Sequence, residues 1–314
     1  MKRFASSTFG ISRLLCAAAF VVSACEEPSP EPYFQQLRSR DEGERLRAAN
    51  ELLLYGDEVI PRLLEEARSD DLPMRFEVAK LLGRFRDPKG VQVWMESLGD
   101  RSANVAQAAA WALGQIGDPR AVSALLSYTH DPSKGMRQQV LRSIGSCYSD
   151  SISPAVGDSA HAAVSRGLLD PTPKVRIAAL EGIREFGYRG AADQIIRMSR
   201  DASPEIRHVA VQALGHIGAG LAPRSTGPAT PRTRDNIVEA LVAALEDSLQ
   251  SIRTKSVRSL EMMSGFDDLV TEVAAKAATP LEWLEQRGTA EDKREARRVL
   301  EKLRAGRPAL TGGD

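Results

Sequence analysis

An aspartate followed six residues later by an arginine recurs along this chain at a spacing close to one small structural unit. The pairs are Asp41 and Arg47, Asp131 and Arg137, Asp170 and Arg176, Asp201 and Arg207, and Asp247 and Arg253. Asp100 keeps the place, with Ala106 where the arginine would stand, and Asp70 or Asp71 precedes Arg75 at a shorter spacing. Gly83, Gly114 and Gly145 lie 31 residues apart, each eight beyond Arg75, Ala106 and Arg137. A fixed period of this length is the signature of stacked repeats. It yields seven units between about Tyr33 and Phe266.

Each unit reads as two helices. In the third, Val91 to Leu98 forms a short first helix and Val105 to Ile116 a second. Val105, Ala109, Ala112, Leu113 and Ile116 follow at three- and four-residue spacing and make one apolar stripe. Gly117 suits the left-handed position after a helix, and Asp118-Pro119 suits the cap and first residue of the next. Ser102, Ser133, Thr172 and Ser203 fit N-caps of second helices, with Pro173 and Pro204 at first helical positions. One helix pair cannot bury its stripe alone, whereas stacked neighbours can.

The pattern resembles HEAT repeats, and among them the short HEAT-like repeats named after phycobilin lyases. Runs such as Ala110-Trp111-Ala112-Leu113-Gly114 and Ile206-Arg207-His208-Val209-Ala210 carry the likeness over most of residues 33–266. It implies an all-α, right-handed α-solenoid of about seven HEAT-like pairs. It also implies that the Asp and Arg positions form a ladder linking successive turns, and that second helices line the concave side. Departures from register are informative. The glycine place holds Tyr55, Arg184 and Glu261 in units one, five and seven. Extra residues enter around Ser149 to Asp158 and again at Ala219 to Asp235, the latter rich in Pro, Gly and Thr and predicted to be a mobile loop. Beyond Phe266 the chain stays helical through Leu303, strongly charged and out of register, as a solubilising end cap requires.

The chain opens with Lys2, Arg3 and Arg13 around a short apolar run from Leu14 to Val22, closed by Val22-Ser23-Ala24-Cys25. That is the architecture of an export signal; the run is too short to span a bilayer. The ending resembles the lipobox of bacterial lipoproteins, with Val22 where Leu is commoner. The resemblance implies cleavage before Cys25, an acyl group on its thiol, and a lipid-anchored chain facing the periplasm, with the outer membrane weakly favoured because Glu26 follows the cysteine. Residues 1–24 are then the signal, 25–32 a Pro/Glu-rich tether, 33–305 the solenoid and 306–314 a flexible tail. Only Cys147 remains as a thiol, so no internal disulfide forms.

The mature balance of 39 basic against 42 acidic residues lacks the basic surplus of nucleic-acid binders. His208 and His216 lie eight apart, too far to share a metal from one helix. There is no His-Glu dipeptide of the kind that holds iron in the HEAT-like deoxyhypusine hydroxylases, no P-loop and no G-x-S-x-G. The chain therefore reads as a non-enzymatic scaffold with no metal, no cofactor and no small-molecule substrate, taking a protein or peptide partner in the cell envelope. The alternative is a lyase-like enzyme or accessory. The candidate binding row is Phe76, Lys80, Arg84, Gln107, Trp111, Gln115 and Arg142, on the face of three second helices opposite the core stripe. Acidic Glu181 and Glu185 lie further along. Phe76 and Trp111 could instead turn back into the core, since Trp is rarely left bare. If Cys25 carries the lipid, Cys25→Ala abolishes incorporation of labelled fatty acid and releases the protein from membranes; a wild type that takes up no label refutes the anchor.

Overall fold

The computed structural model describes residues 29–220, 231–265 and 267–305. Cys25 and the signal segment lie outside the described residues, as do residues 221–230 and the tail after Ala305. Among the described residues there are helices and turns and no strand.

Seven helix pairs follow one another. They are α1 (Glu31–Gln36) with α2 (Glu42–Leu54), α3 (Ile60–Glu66) with α4 (Leu72–Phe85), and α5 (Val91–Ser97) with α6 (Ala103–Ile116). Next come α7 (Ala121–Leu126) with α8 (Lys134–Cys147), α9 (Pro154–Gly167) with α10 (Pro173–Phe186), α11 (Ala192–Met198) with α12 (Pro204–Ala219), and α13 (Pro231–Ala244) with α14 (Gln250–Ser264). An eighth pair, α15 (Asp267–Arg287) and α16 (Ala290–Ala305), closes the C-terminal end. The architecture is an α-solenoid. One apolar core runs between the two rows of helices from Phe34 to Leu303.

The start and stop signals act largely where the sequence places them. Ser102, Ser133, Thr172 and Ser203 are N-caps with extended backbone, and α10 and α12 open on Pro173 and Pro204. Gly117 ends α6 at φ 72°, and Gly187 ends α10 at φ 70°. The same left-handed place after α4 is taken by Arg86 at φ 55°, a conformation that costs a side-chain-bearing residue about 1–2 kcal/mol. Asp118 does not start the next helix directly. Its carboxylate accepts from the Arg120 amide at 2.8 Å and opens a turn, and α7 begins at Ala121.

Where they are described, the extra residues of two units are partly helical; residues 221–230 of the expected loop lie outside the described residues. In the other five of the seven units first helices run six or seven residues, but α9 and α13 each run fourteen. The added chain has lengthened the outer helix, which leaves the turns beside the second helices unchanged. Residues 231–235 of the expected Ala219–Asp235 loop are thus helical, and Asp235 pairs with Lys276 of α15. Ala219 closes α12.

From α4 to α14, second helices lie closer to one another than first helices do. The reason is the periodic glycine. A Cβ on Gly83 would meet the Trp111 ring at 2.5 Å, one on Gly114 the Ser143 hydroxyl at 2.5 Å, and one on Gly145 the Cα of Gly182 at 2.5 Å. Gly215 repeats the arrangement against Ser259. At this spacing the side chains of one helix reach the backbone of the next: Ser143 donates to the Ala110 carbonyl at 2.7 Å, Ser259 to Val211 at 3.2 Å, and the Cys147 thiol to Leu113 at 3.2 Å. Tight spacing on one row and wider spacing on the other bends the stack toward the second helices, which puts their row on the inner side. Gly145→Ala places a methyl against backbone that cannot rotate away. It should cost about 1–3 kcal/mol or more, read as a lower midpoint in urea.

Candidate interaction surface

The turns between first and second helices carry the most regular polar chemistry of the molecule. In a complete rung an arginine on a second helix does two things. One guanidinium nitrogen donates back to the carbonyl six residues earlier; the others reach the aspartate of the following unit. Arg137 donates to the Asp131 carbonyl at 2.8 Å and to both oxygens of Asp170 at 2.8 and 3.2 Å. Arg75 joins Asp100, and Arg207 joins Asp247, with the same two-pronged geometry. Arg176 and Asp201 are looser, at 4.0 Å. Each aspartate also accepts the amide of the N-cap residue two positions on, as Asp170 does from Thr172 at 2.8 Å.

The first two units use different residues for the same contacts. Arg45, not Arg47, donates to the Ser39 carbonyl at 2.9 Å and to Glu77 at 3.2 Å, while Arg47 is exposed. Ser39 and Ser69 replace the repeat aspartate, their hydroxyls accepting the amides of Asp41 and Asp71, which are the N-caps. The irregular spacing before Arg75 is thereby explained: the fixed element is the carbonyl six residues back, which any residue supplies. The ladder also continues past the last unit in register. Arg253 reaches Asp292 at 2.7 Å, and this buried aspartate forms a reciprocal cap with Thr289 at the start of α16. A capping pair at Thr289 and Asp292 is legible in sequence; its role as a rung is not.

Burial works against ionising Asp100, Asp170, Asp247 and Asp292, but guanidinium and amide donors outweigh it and hold all four below the ordinary carboxylate range. A carboxylate with a depressed folded value stabilises above its unfolded value of about 4, and that contribution is lost as pH falls through the lower folded value. Melting temperature should therefore drop below about pH 4. Asp170→Asn should cost about 2 kcal/mol at pH 7 and progressively less in acid. A variant as costly in acid as at neutrality would show that the rung is not ionic.

The candidate row lies along α4, α6 and α8 as expected, but its members are engaged in different ways. Phe76 is partly buried against the core, with the Lys80 ammonium 5.2 Å from its ring centroid and 2.9 Å from Glu77. Arg84 is exposed and donates to Asn50 at 3.2 Å. Trp111 is partly buried, its ring lying over Gly83 of the preceding unit, so its six-membered edge is packing and its remaining surface faces out. Gln107 stands beside Gly135, and Gln115 accepts from Arg86 at 3.4 Å. Arg142 is bound to Glu181 of the next second helix, so base and acid neutralise each other within the row.

Other candidate groups are structural. The Cys147 thiol is fully buried, and burial, with the Asp118 carboxylate adding to it, raises its pKa to about 12. His161 is half-buried in a stack with Tyr148, Phe186 and Tyr188, lying 4.1 Å from Tyr188 and nearly parallel to it. Desolvation lowers His161, His208 and His216 toward the neutral form. Among the described residues no group of three His, Cys, Asp or Glu is placed to hold a metal, and no helix is long and apolar enough to cross a membrane.

The HEAT repeats family matches residues 91–164 and 162–235. Residues 91–235 are thus HEAT-like repeats. No curated protein matches it at the level of sequence. Among solved structures the chain is similar to an engineered protein at 18% identity, covering 87% of this chain and 78% of that one with a TM-score of 0.55. It is also similar, at a TM-score of 0.47 and 18% identity, to the complex of CpcE and CpcF of phycocyanin lyase from Nostoc sp. PCC7120, over 77% of this chain and 93% of that one. A designed armadillo repeat protein in complex with a (KR)4 peptide gives a TM-score of 0.43 at 18% identity, over 87% and 98%. At this identity the likeness speaks to fold alone.

Proposed function

We propose that this protein is a non-enzymatic scaffold of the bacterial cell envelope, tethered by lipid on Cys25 and presenting its second-helix row to a protein or peptide partner. The observation that carries the reading is the division of labour among its polar residues. Most of the regular Asp and Arg positions are consumed in the ladder, and the Cys147 thiol and the His161 ring are consumed in packing. What remains is a strip of aromatic, amide and basic groups along α4 and α6, from the partly buried Phe76 and Trp111 to the exposed Arg84, with Arg142 of α8 already paired to Glu181. Interfaces favour such anchors, with Trp, Tyr and Arg prominent among them. The tether supports the reading by holding the strip at a membrane surface.

The surface test uses the charged members of the row on α4, half-buried Lys80 and exposed Arg84, because Trp111 is partly a packing residue. The acylated protein is cross-linked in envelope extract, and the captured partner is compared between wild type, Lys80→Glu with Arg84→Glu, and Arg197→Glu on the outer helix α11. Reversing the two inner charges should reduce capture about tenfold or more with circular dichroism unchanged, while the outer change has little effect. Loss of capture on the outer variant alone would move the interface to the first-helix side.

A further inference from the structure

Ala106 breaks the ladder. It occupies the place of Arg75 one unit earlier and of Arg137 one unit later, and it is buried. In consequence Asp131 is the one ladder aspartate, among the described residues, with no cation in salt-bridge range; its recorded partner is the Ser133 amide at 2.7 Å. A hollow of about 290 Å³ lies there, lined by Ala106, Gln107, Tyr128, Asp131 and Met136 among others. The filled rung at Arg75 and Asp100 borders a hollow of its own of about 410 Å³, so what distinguishes this one is a carboxylate with no guanidinium beside it. Its lining matches, residue for residue at the 31-residue spacing, part of the hollow around Arg75 and Asp100. The acceptors are those that hold a guanidinium elsewhere: a carboxylate fixed by an N-cap amide, and the Asp100 carbonyl in the place of the Ser69 and Asp131 carbonyls.

We propose that this hollow is a binding slot for the guanidinium of an arginine on a partner segment, which completes the missing rung in trans. The molecule itself supplies the precedent, since Asp100, Asp170 and Asp247 each take a two-pronged guanidinium in this setting. Tyr128 lines the slot, where its ring can lie beside a planar cation. Gln107, a member of the inner row, sits on the rim, so a segment lying along the row could drop an arginine into the slot. A lysine lacks the planar fork and should be discriminated against. Arg101, also on the rim, is exposed and makes no recorded bond to Asp131.

This inference deepens the scaffold reading and rests on it for the partner's identity, but its test needs no envelope partner. The full chain is titrated with ethylguanidinium, with an N-acetylated, C-amidated Gly-Arg-Gly peptide and with its Gly-Lys-Gly counterpart, following the amide resonances of Gly99 and Ser133. Ethylguanidinium and the arginine peptide should shift both signals saturably, the arginine peptide binding more tightly than free ethylguanidinium and about tenfold more tightly than the lysine peptide. Asp131→Asn and Ala106→Arg should each weaken binding about tenfold or more, and Ala106→Arg should also raise the melting temperature. Equal shifts with lysine, undiminished binding in Asp131→Asn, or binding that appears only once Arg101→Ala is made would overturn the proposal. In the last case the slot belongs to the chain's own Arg101. Failure here leaves the scaffold reading, which is tested by capture, intact.

Discussion

A guanidinium that grips the turn behind it and the carboxylate ahead of it is the contact on which the rest of this solenoid depends. Helix pairs buried only by apolar stripes are held in register less specifically, because hydrophobic burial is non-directional. The fork of Arg137 supplies that specificity. It is fixed at one end to the Asp131 carbonyl and at the other to both oxygens of Asp170, and a shift of one residue would break both. Partly buried ion pairs of this kind give limited net stability, since desolvation offsets much of the attraction. Their contribution is to the placement of one unit on the next.

Placement in turn decides how closely the second helices approach. Gly83, Gly114, Gly145 and Gly215 meet the neighbouring helix at distances no Cβ would tolerate, which holds only if each crossing falls on the glycine. At Arg75 and Gly83, Arg137 and Gly145, and Arg207 and Gly215, ladder and glycine thus act together, with the arginine setting register and the glycine eight residues on accepting the crossing. Gly114 accepts its crossing without a rung, because Ala106 stands eight before it. The close row gives the inner face its continuity, and Arg142 reaching Glu181 on the next unit is a direct result. The extra residues in two units are compatible with this device because they lengthen α9 and α13 on the outer row, where spacing is loose.

Much of this was legible beforehand because it is local or periodic. Helix pairs, caps at Ser102, Ser133, Thr172 and Ser203, and the glycine end of α6 follow from residue chemistry within a few positions of each other. The misread parts were those where different side chains meet one geometric demand. Ser69 replaces an aspartate because its hydroxyl also accepts an amide, and the carbonyl that Arg75 needs is present on every residue. A pattern search for Asp six before Arg selects Arg47 in the first unit, whereas the backbone selects Arg45.

The sequence by itself determined that this chain is an all-helical repeat array, where most of its second helices begin, and which stripe of each is apolar, because these depend on period and on neighbours along the chain. The tertiary structure alone decided that Trp111 is half packing and half surface, that Arg142 is neutralised by Glu181, that Asp292 extends the ladder into the cap, and that Ala106 borders a lined hollow beside the Asp131 carboxylate. Each of these depends on residues about 28 to 39 positions apart meeting across a helix crossing. Their distances are set by how closely the crossing glycines let two backbones approach, and no one-dimensional pattern contains that quantity.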